Sequence, residues 1–352
     1  MRYDVLFFEA LGEENAHLRE ELEKAKQAGL LPEDLRFLIT TDTLQAYLAA
    51  HPETELPKIL STKTHSVLPE EWLKGEKKSV ITRSAGYDHF ERYASIANIT
   101  SLREYCVNAV AETALKFVFC TCGNLNEYTV NAEKFERNSG KSFREITGRR
   151  AVVFGCGRIG RRIYELCRGV GLETVAVDLR RRELEKEYGD VVFAEKDEVF
   201  DADVILCAMN YTASPESRFY NAGYFSEDYL SRFGNRPVFI NVTRGEIAPE
   251  GGIWDLYRKG KLFGLGLDVF GHEAKTVPLL RGEKEPENED EKAVKEIVQA
   301  ALGRTENVYV QPHQAFNSDK AALDKAVETV RHLTAYYKNG GAGFDSQLPY
   351  YQ

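Results

Sequence analysis

The sequence predicts an α/β protein of two domains built on parallel sheets. Three observations carry that reading. Short apolar segments alternate with helical ones along most of the chain, the pattern of βαβ units. The 352 residues exceed what one hydrophobic core ordinarily serves. One glycine-rich turn, Gly155-Cys156-Gly157-Arg158-Ile159-Gly160, lies between an apolar strand and a helix, the setting in which a parallel sheet meets a phosphate-bearing ligand.

Taken in order, residues 3–8 read as a buried strand. Their apolar run is too short for a secretory signal, and Asp4 comes too early in it. Residues 15–28 form a charged helix with Leu18, Leu22 and Ala25 at helical spacing. A strand at 36–40 follows, and Thr41-Asp42-Thr43 caps a helix through Ala50. Residues 58–61 and 79–82 are further short strands, and 108–122 is a long helix. Residues 124–148 are polar and expected at the surface. The apolar strand 151–154 enters the glycine turn, and a helix runs from it to Gly169. Strands are expected at 174–177, 191–193, 204–207, 238–241, 262–267 and 308–310, most of them separated by helices. The acidic stretch 281–296 reads as a solvated loop through Asp290, and the glycine-bearing tail from Asn339 as mobile or laid on the surface.

Composition narrows the function. With 43% hydrophobic residues the chain can bury real cores, while a net charge of −9 argues against nucleic acid as the main partner. No apolar run is long enough to span a membrane. The cysteines, Cys106, Cys120, Cys122, Cys156, Cys167 and Cys207, form no CxxC pair and have no histidine cluster beside them. Reduced thiols in a cytoplasmic protein without a metal site are therefore expected.

The glycine motif gains weight from its context. Gly155 suits the tight turn, Gly157 lets backbone approach a pyrophosphate, and Gly160 lets helix pack on strand. The helix end at Arg158 and Ile159 offers unpaired N–H groups to phosphates. Asp178, ending the next strand, is placed to accept hydrogen bonds from ribose hydroxyls and to repel a 2′-phosphate. Arg180, Arg181 and Arg182 would favour that phosphate, but they also read as a solvated helix start. NAD is thus the expected cofactor and NADP the less favoured one. Downstream, three strands each end in a polar residue: Arg244 after Asn241-Val242-Thr243, Asp268 and Glu273 after Gly266-Leu267, and His313 after Val310-Gln311-Pro312. Such strand ends line the ligand crevice of open α/β sheets. Arg, Glu and His there suit hydride transfer at a carbonyl. His313 moves the proton, Glu273 orients and tunes the imidazole, and Arg244 binds a substrate carboxylate and polarises the carbonyl. Lys63, Thr64 and His65 follow an early strand; Lys63 reads as a surface lysine, with contact to a second carboxylate or a phosphate as the alternative.

In this order the segments resemble the D-isomer-specific 2-hydroxyacid dehydrogenase family. Arg83-Ser84-Ala85-Gly86-Tyr87-Asp88 resembles its substrate loop, and residues 105–112 resemble its hinge and the helix that follows. The resemblance implies doubly wound parallel sheets in both domains. A Rossmann cofactor domain (105–316) would be inserted into a flavodoxin-like substrate domain (1–104 and 317–352). It implies carboxylate-binding amides at Ala85 and Gly86, Asp268 on the nicotinamide carboxamide, and cofactor contacts along Cys207, Ala208, Val242 and Thr243. Tyr105 and Phe316 are similar to the substrate aromatics of the D-lactate and D-2-hydroxyisocaproate branch. A homodimer formed through the cofactor domain is implied as well. Two departures stand out: no proline follows Cys207 until Pro215, and Gln314 follows the histidine. The implied activity is reversible, NADH-dependent reduction of a 2-oxo acid to the D-2-hydroxy acid. The alternatives are a same-fold reductase of another small acid such as glyoxylate, and a dinucleotide-sensing, corepressor-like protein with little turnover.

Overall fold

A computed structural model of the chain describes residues 2–137 and 142–350. Met1, residues 138–141 of the polar segment and residues 351–352 of the tail lie outside the described residues. The chain divides into two units, Met1–Cys106 with Asn317–Gln352, and Val107–Phe316. Tyr105 falls in the first of them.

The first unit contains β1 (Val5–Phe7), α1 (Glu13–Gln27), β2 (Phe37–Ile39), α2 (Leu44–Ala50), β3 (Ile59–Thr62), α3 (Glu70–Leu73), β4 (Lys78–Thr82) and β5 (Ala97–Ser101), and ends on a C-terminal helix, Ala321–Lys338. All pairings in its sheet are parallel, in the order β2-β1-β3-β4-β5, the flavodoxin-like winding. Such a sheet is covered on both faces, which is why β1 is apolar at every position. Its Val5 and Phe7 pack with Leu18, Leu22 and Ala25 of α1 and with Leu333 and Tyr336 of the C-terminal helix. Thr43 caps α2 as expected, its hydroxyl accepting the Ala46 N–H. β5 is fully buried but alternates apolar with polar residues, so it has no apolar run to announce it. Its polar groups are met by the tail. Asn98 Nδ2 donates to the Ala342 carbonyl, the Leu348 N–H to the Ile99 carbonyl, and the Ser101 N–H to the Tyr350 hydroxyl at 2.7 Å. With Phe344 and Leu348 buried, the tail is docked rather than mobile.

The second unit contains α4 (Val107–Cys122), α5 (Leu125–Glu133), β6 (Arg150–Phe154), α6 (Arg158–Gly169), β7 (Glu173–Val177), α7 (Arg181–Glu187), β8 (Val204–Cys207), α8 (Glu227–Ser231), β9 (Val238–Asn241), α9 (Glu250–Arg258), β10 (Gly264–Leu267), α10 (Glu273–Leu280), α11 (Glu289–Gly303) and β11 (Val308–Val310). Its six-stranded sheet is parallel, in the order β11-β10-β9-β8-β6-β7. The strand expected at 191–193 shrinks to one bridge, Phe193 to Ala176, on the β7 edge. Val192 between its neighbours points out, 57% exposed, so nothing on that side extends the pairing. The strand order reverses between β6 and β8, and their carboxyl ends flank the ligand crevice typical of this winding. The polar segment holds a helix, α5, pinned by Asn126, whose side-chain amide donates to the Glu306 and Val308 carbonyls. All six cysteines are free thiols. Among the described residues no helix is long and apolar enough to cross a membrane.

Candidate active site

At the reversal point the glycine motif behaves as its sequence requires. Gly155 sits at φ +87°, and a side chain there would meet Met209 backbone at 2.7 Å. A Cβ on Gly160 would lie 1.8 Å from the Gly155 carbonyl oxygen, so α6 reaches the turn only without one. Gly157 faces open space, with nothing within 4 Å of a Cβ position, and starts α6 at Arg158 and Ile159. Asp178 is drawn to this turn: one oxygen accepts the Cys156 N–H and the other the Arg180 N–H, both at 2.7 Å. Arg181 is held by Glu185 and Glu195, and Arg180 approaches Asp178 at 4.0 Å. The neighbouring strand end adds Cys207, bonded through its thiol to the Thr243 hydroxyl at 3.3 Å, and Ala208, whose N–H pairs with the Phe154 carbonyl. Burial pushes the Cys207 thiol up to about 11, so it serves as a neutral wall.

The loops after β9, β10 and β11 interlock. The Asn241 side chain shapes the first, its oxygen accepting from the Thr243 N–H and hydroxyl and its amide donating to the Arg244 carbonyl. Val242 is buried beneath this turn. The next residue, Gly245, lies backbone to backbone against the following loop: a Cβ would fall 1.9 Å from the Gly271 nitrogen. Two carboxylates that the sequence reading missed complete the joint. Glu246 accepts the His272 N–H at 3.0 Å, and Glu250 accepts the Gly271 N–H at 2.6 Å. Together they fix the start of α10, whose first residue is Glu273. Their signal is absent from local sequence, because each acts across two loops.

Asp268 is fully buried and organises the last loop. One of its carboxylate oxygens accepts from the Gln311 side chain at 2.7 Å and from the Gln314 and Ala315 N–H groups. Its carbonyl accepts the His313 N–H at 2.6 Å. This holds His313 at φ +51°, a conformation that non-glycine residues rarely adopt. The imidazole Nδ1 then lies 2.9 Å from Glu273 Oε2. A carboxylate on Nδ1 keeps the proton there and leaves Nε2 to exchange one. The Phe316 ring stands edge-on to the imidazole at 6.3 Å. The Gln314 side chain is exposed, and its part in the loop is played by its backbone.

In the first unit, Ala85 and Gly86 follow β4 in a turn closed by the Ser84 hydroxyl on the Gly86 carbonyl. Among the described residues neither N–H finds a partner. Arg83, before them, is fully buried and structural: it bonds Glu14, the Ser61 hydroxyl and the Phe8 carbonyl. Lys63 corrects its reading as a surface lysine, since its side chain is only 18% exposed and pairs with buried Glu14. Tyr105 donates its N–H to Glu328 at 2.9 Å, and its ring lies under the Lys325 ammonium.

One buried polar atom points to a ligand. The second carboxylate oxygen of Asp268 has no hydrogen-bond partner, which fits an arriving carboxamide N–H. The open cradle at Gly157 and the engaged Arg181 fit a pyrophosphate and an unphosphorylated ribose. A dinucleotide-binding oxidoreductase is the class that this fold and site define. The chain belongs to the D-isomer-specific 2-hydroxyacid dehydrogenase family: the family's model, described as the NAD binding domain, matches residues 116–315. A D-lactate dehydrogenase of Treponema pallidum is 24% identical over 69% of this chain and 71% of its own. A glyoxylate reductase of Korarchaeum cryptofilum is 23% identical over 79% of each. The structure of Aquifex aeolicus D-lactate dehydrogenase, complexed with NAD and lactic acid, aligns with TM-score 0.75 and 26% identity over 95% of this chain and 96% of that one. The protein is thus an NAD-dependent oxidoreductase of 2-hydroxy acids.

Proposed function

We propose that the protein reduces a 2-oxo acid to the D-2-hydroxy acid, reversibly, with His313, Glu273 and Arg244 as its catalytic set. The observation that carries this reading is the 2.9 Å contact between His313 Nδ1 and Glu273, on a loop locked to the one bearing Arg244. NADH, when bound, supplies the hydride. His313 Nε2–H gives the proton to the carbonyl oxygen and recovers it in the reverse direction. Glu273 keeps the ring oriented by holding Nδ1–H. Arg244 pairs with the substrate carboxylate and polarises the carbonyl. Ala85 and Gly86 are assigned as amides for a substrate carboxylate, and Tyr105 and Phe316 as aromatic substrate contacts. Asp268 receives the carboxamide, and Asp178 the ribose. Six free thiols suit a reducing, cytoplasmic compartment. The exposed apolar side chains Phe119, Leu125, Tyr128, Val130, Phe135 and Phe143 support a homodimer through the second unit.

The test follows NADH oxidation with pyruvate, 2-oxoisocaproate, phenylpyruvate, oxaloacetate and glyoxylate, in the wild type and His313→Gln. Turnover of at least one acid is expected, with kcat falling roughly 10² to 10⁴-fold in the variant and NADH affinity nearly kept. Binding of NADH without turnover of any acid overturns the reading, as does normal activity of the variant.

A further inference from the structure

No proline follows Cys207 until Pro215, and the structure shows what steadies this stretch instead. Residues 208–226 join β8 to α8 and, among the described residues, form neither helix nor strand. Their backbone groups must find partners without a ladder. The first of them form a wall of the crevice at the β6–β8 reversal. The Ala208 methyl lies 3.3 Å from a Cβ position on Gly160, and the Met209 backbone 2.7 Å from one on Gly155. The loop therefore meets the glycine turn at close backbone contact. Asn221, 7% exposed, holds the residues that follow. Its Oδ1 accepts the Thr212 N–H and its Nδ2 donates to the Asn210 carbonyl, both at 2.8 Å. The Asn221 N–H donates in turn to the Thr212 carbonyl at 3.2 Å. Both ends of one side-chain amide are thus spent on residues 210–212. The far side of Asn221 is anchored. The Gly223 and Phe225 N–H groups donate to the carbonyls of Glu246 and Ile247, just past Arg244. Phe225 is buried, its ring edge-on at 5.0 Å to Phe154, the residue before Gly155. Residues 213–216, between the two sides, are exposed.

We infer that Asn221 is a positioning residue for the dinucleotide: it clamps residues 210–212 so that Ala208 and Met209 stand fixed beside the glycine turn. The inference needs NAD binding alone and is independent of which acid is reduced. A wall that has to be ordered when the ligand arrives costs affinity, and a wall ordered beforehand does not. A proline would stiffen such a chain by fixing its own φ. Here a buried amide does so from nine residues beyond Thr212. Its position between two anchored segments matters, because a clamp holds only as firmly as its own support. Phe225 on Phe154 and the bonds to Glu246 and Ile247 give that support. Asn221 acts through the loop, so its loss weakens binding of the cofactor and leaves the proton and hydride steps to other residues.

The experiment titrates NADH and ADP-ribose into the full chain, wild type and Asn221→Ala, by calorimetry. ADP-ribose keeps the pyrophosphate and lacks the nicotinamide. Both ligands are expected to bind roughly tenfold more weakly to the variant, the worth of two buried hydrogen bonds. In turnover the KM for NADH is expected to rise with kcat kept, the mark of lost binding rather than lost chemistry. A folded variant with a lower melting temperature and unchanged affinity for both ligands makes Asn221 merely structural and overturns the inference. A loss confined to NADH puts the wall away from the pyrophosphate and overturns it too. If no 2-oxo acid turns over, the dehydrogenase reading fails by itself, and the titrations still decide. Should the alanine variant fail to fold, hydrogen exchange over residues 208–212 takes its place. NADH is expected to slow that exchange in the wild type, since it binds the ordered loop. Asn221→Asp keeps the acceptor for the Thr212 N–H and loses the donor to Asn210, and is expected to speed exchange in the absence of NADH. Exchange unmoved by NADH, or by the substitution, overturns the inference.

Discussion

At the scale of the residue, the candidate site is held by groups that transfer neither the proton nor the hydride of the proposed reaction. His313 tolerates its left-handed backbone because Asp268 accepts its N–H. Glu273 is presented by a loop whose Gly271 N–H ends on Glu250. Burial pushes the Glu250 carboxyl up to about 7, and the nearby Asp290 and Glu246 carboxylates add to the rise. Its folded value thus stands above its unfolded value of about 4.5. Between the two, the folded state binds a proton that the unfolded state has lost. Stability therefore declines as pH rises through this window and levels off above it, by about 3 kcal/mol at most. Glu250→Gln keeps an oxygen for the Gly271 N–H and removes the titration. Thermal melts at about pH 5 and about pH 8 are expected to show the variant gaining on the wild type at the higher pH. A pH-independent difference would show that Glu250 does not titrate in this window.

At the scale of the element, the site depends on loops that exclude side chains from one another. Gly245→Ala would place a methyl group 1.9 Å from the Gly271 nitrogen, against backbone that cannot yield. The loops of Arg244 and Glu273 must then part, and kcat/KM is expected to fall about 10²-fold or more, with a lower melting temperature. Unchanged kinetics in this variant would show that the two loops are not coupled. Legibility from sequence divides along the same line. Features fixed by local pattern were readable: the glycine turn between β6 and α6, the Thr43 cap, and the polar residues ending β9 and β10. Features fixed by distant partners were not. β5 has no apolar run to mark it as a strand, since Asn98 and Ser101 are satisfied by a tail more than 240 residues away in sequence. Residues 191–193 looked apolar enough for a strand, but they pair only at an edge. Arg83 was read with the substrate loop, and only the fold shows its guanidinium turned inward to Glu14. Glu246, Glu250 and Gln311 carry no local signature, since each works by bridging loops.

At the scale of the whole molecule, a net charge of −9 makes copies of the chain repel one another on average, so apolar contact is the favoured way to offset that repulsion on association. Exposed apolar side chains of the second unit offer it. Phe119 on α4 is 49% exposed, Leu125 and Val130 on α5 are 50% and 46%, and Phe135 just beyond is 75%. Tyr128 stays beside Phe143, ring to ring at 6.4 Å, while its hydroxyl accepts the Phe143 N–H. Large apolar side chains exposed in this number on one stretch of chain are candidates for covering by another surface. Copies related by a two-fold axis would bury these side chains against their own counterparts. Light scattering on the purified chain is expected to give twice the 39.9 kDa chain mass. Replacing Phe119 and Val130 together by glutamate sets like charges on both sides of such a contact and is expected to yield the single-chain mass. Both side chains are about half exposed, at 49% and 46%, so NADH titration of the variant should still saturate. A wild-type mass of one chain, or a variant that stays paired, would place the self-association surface elsewhere or remove it.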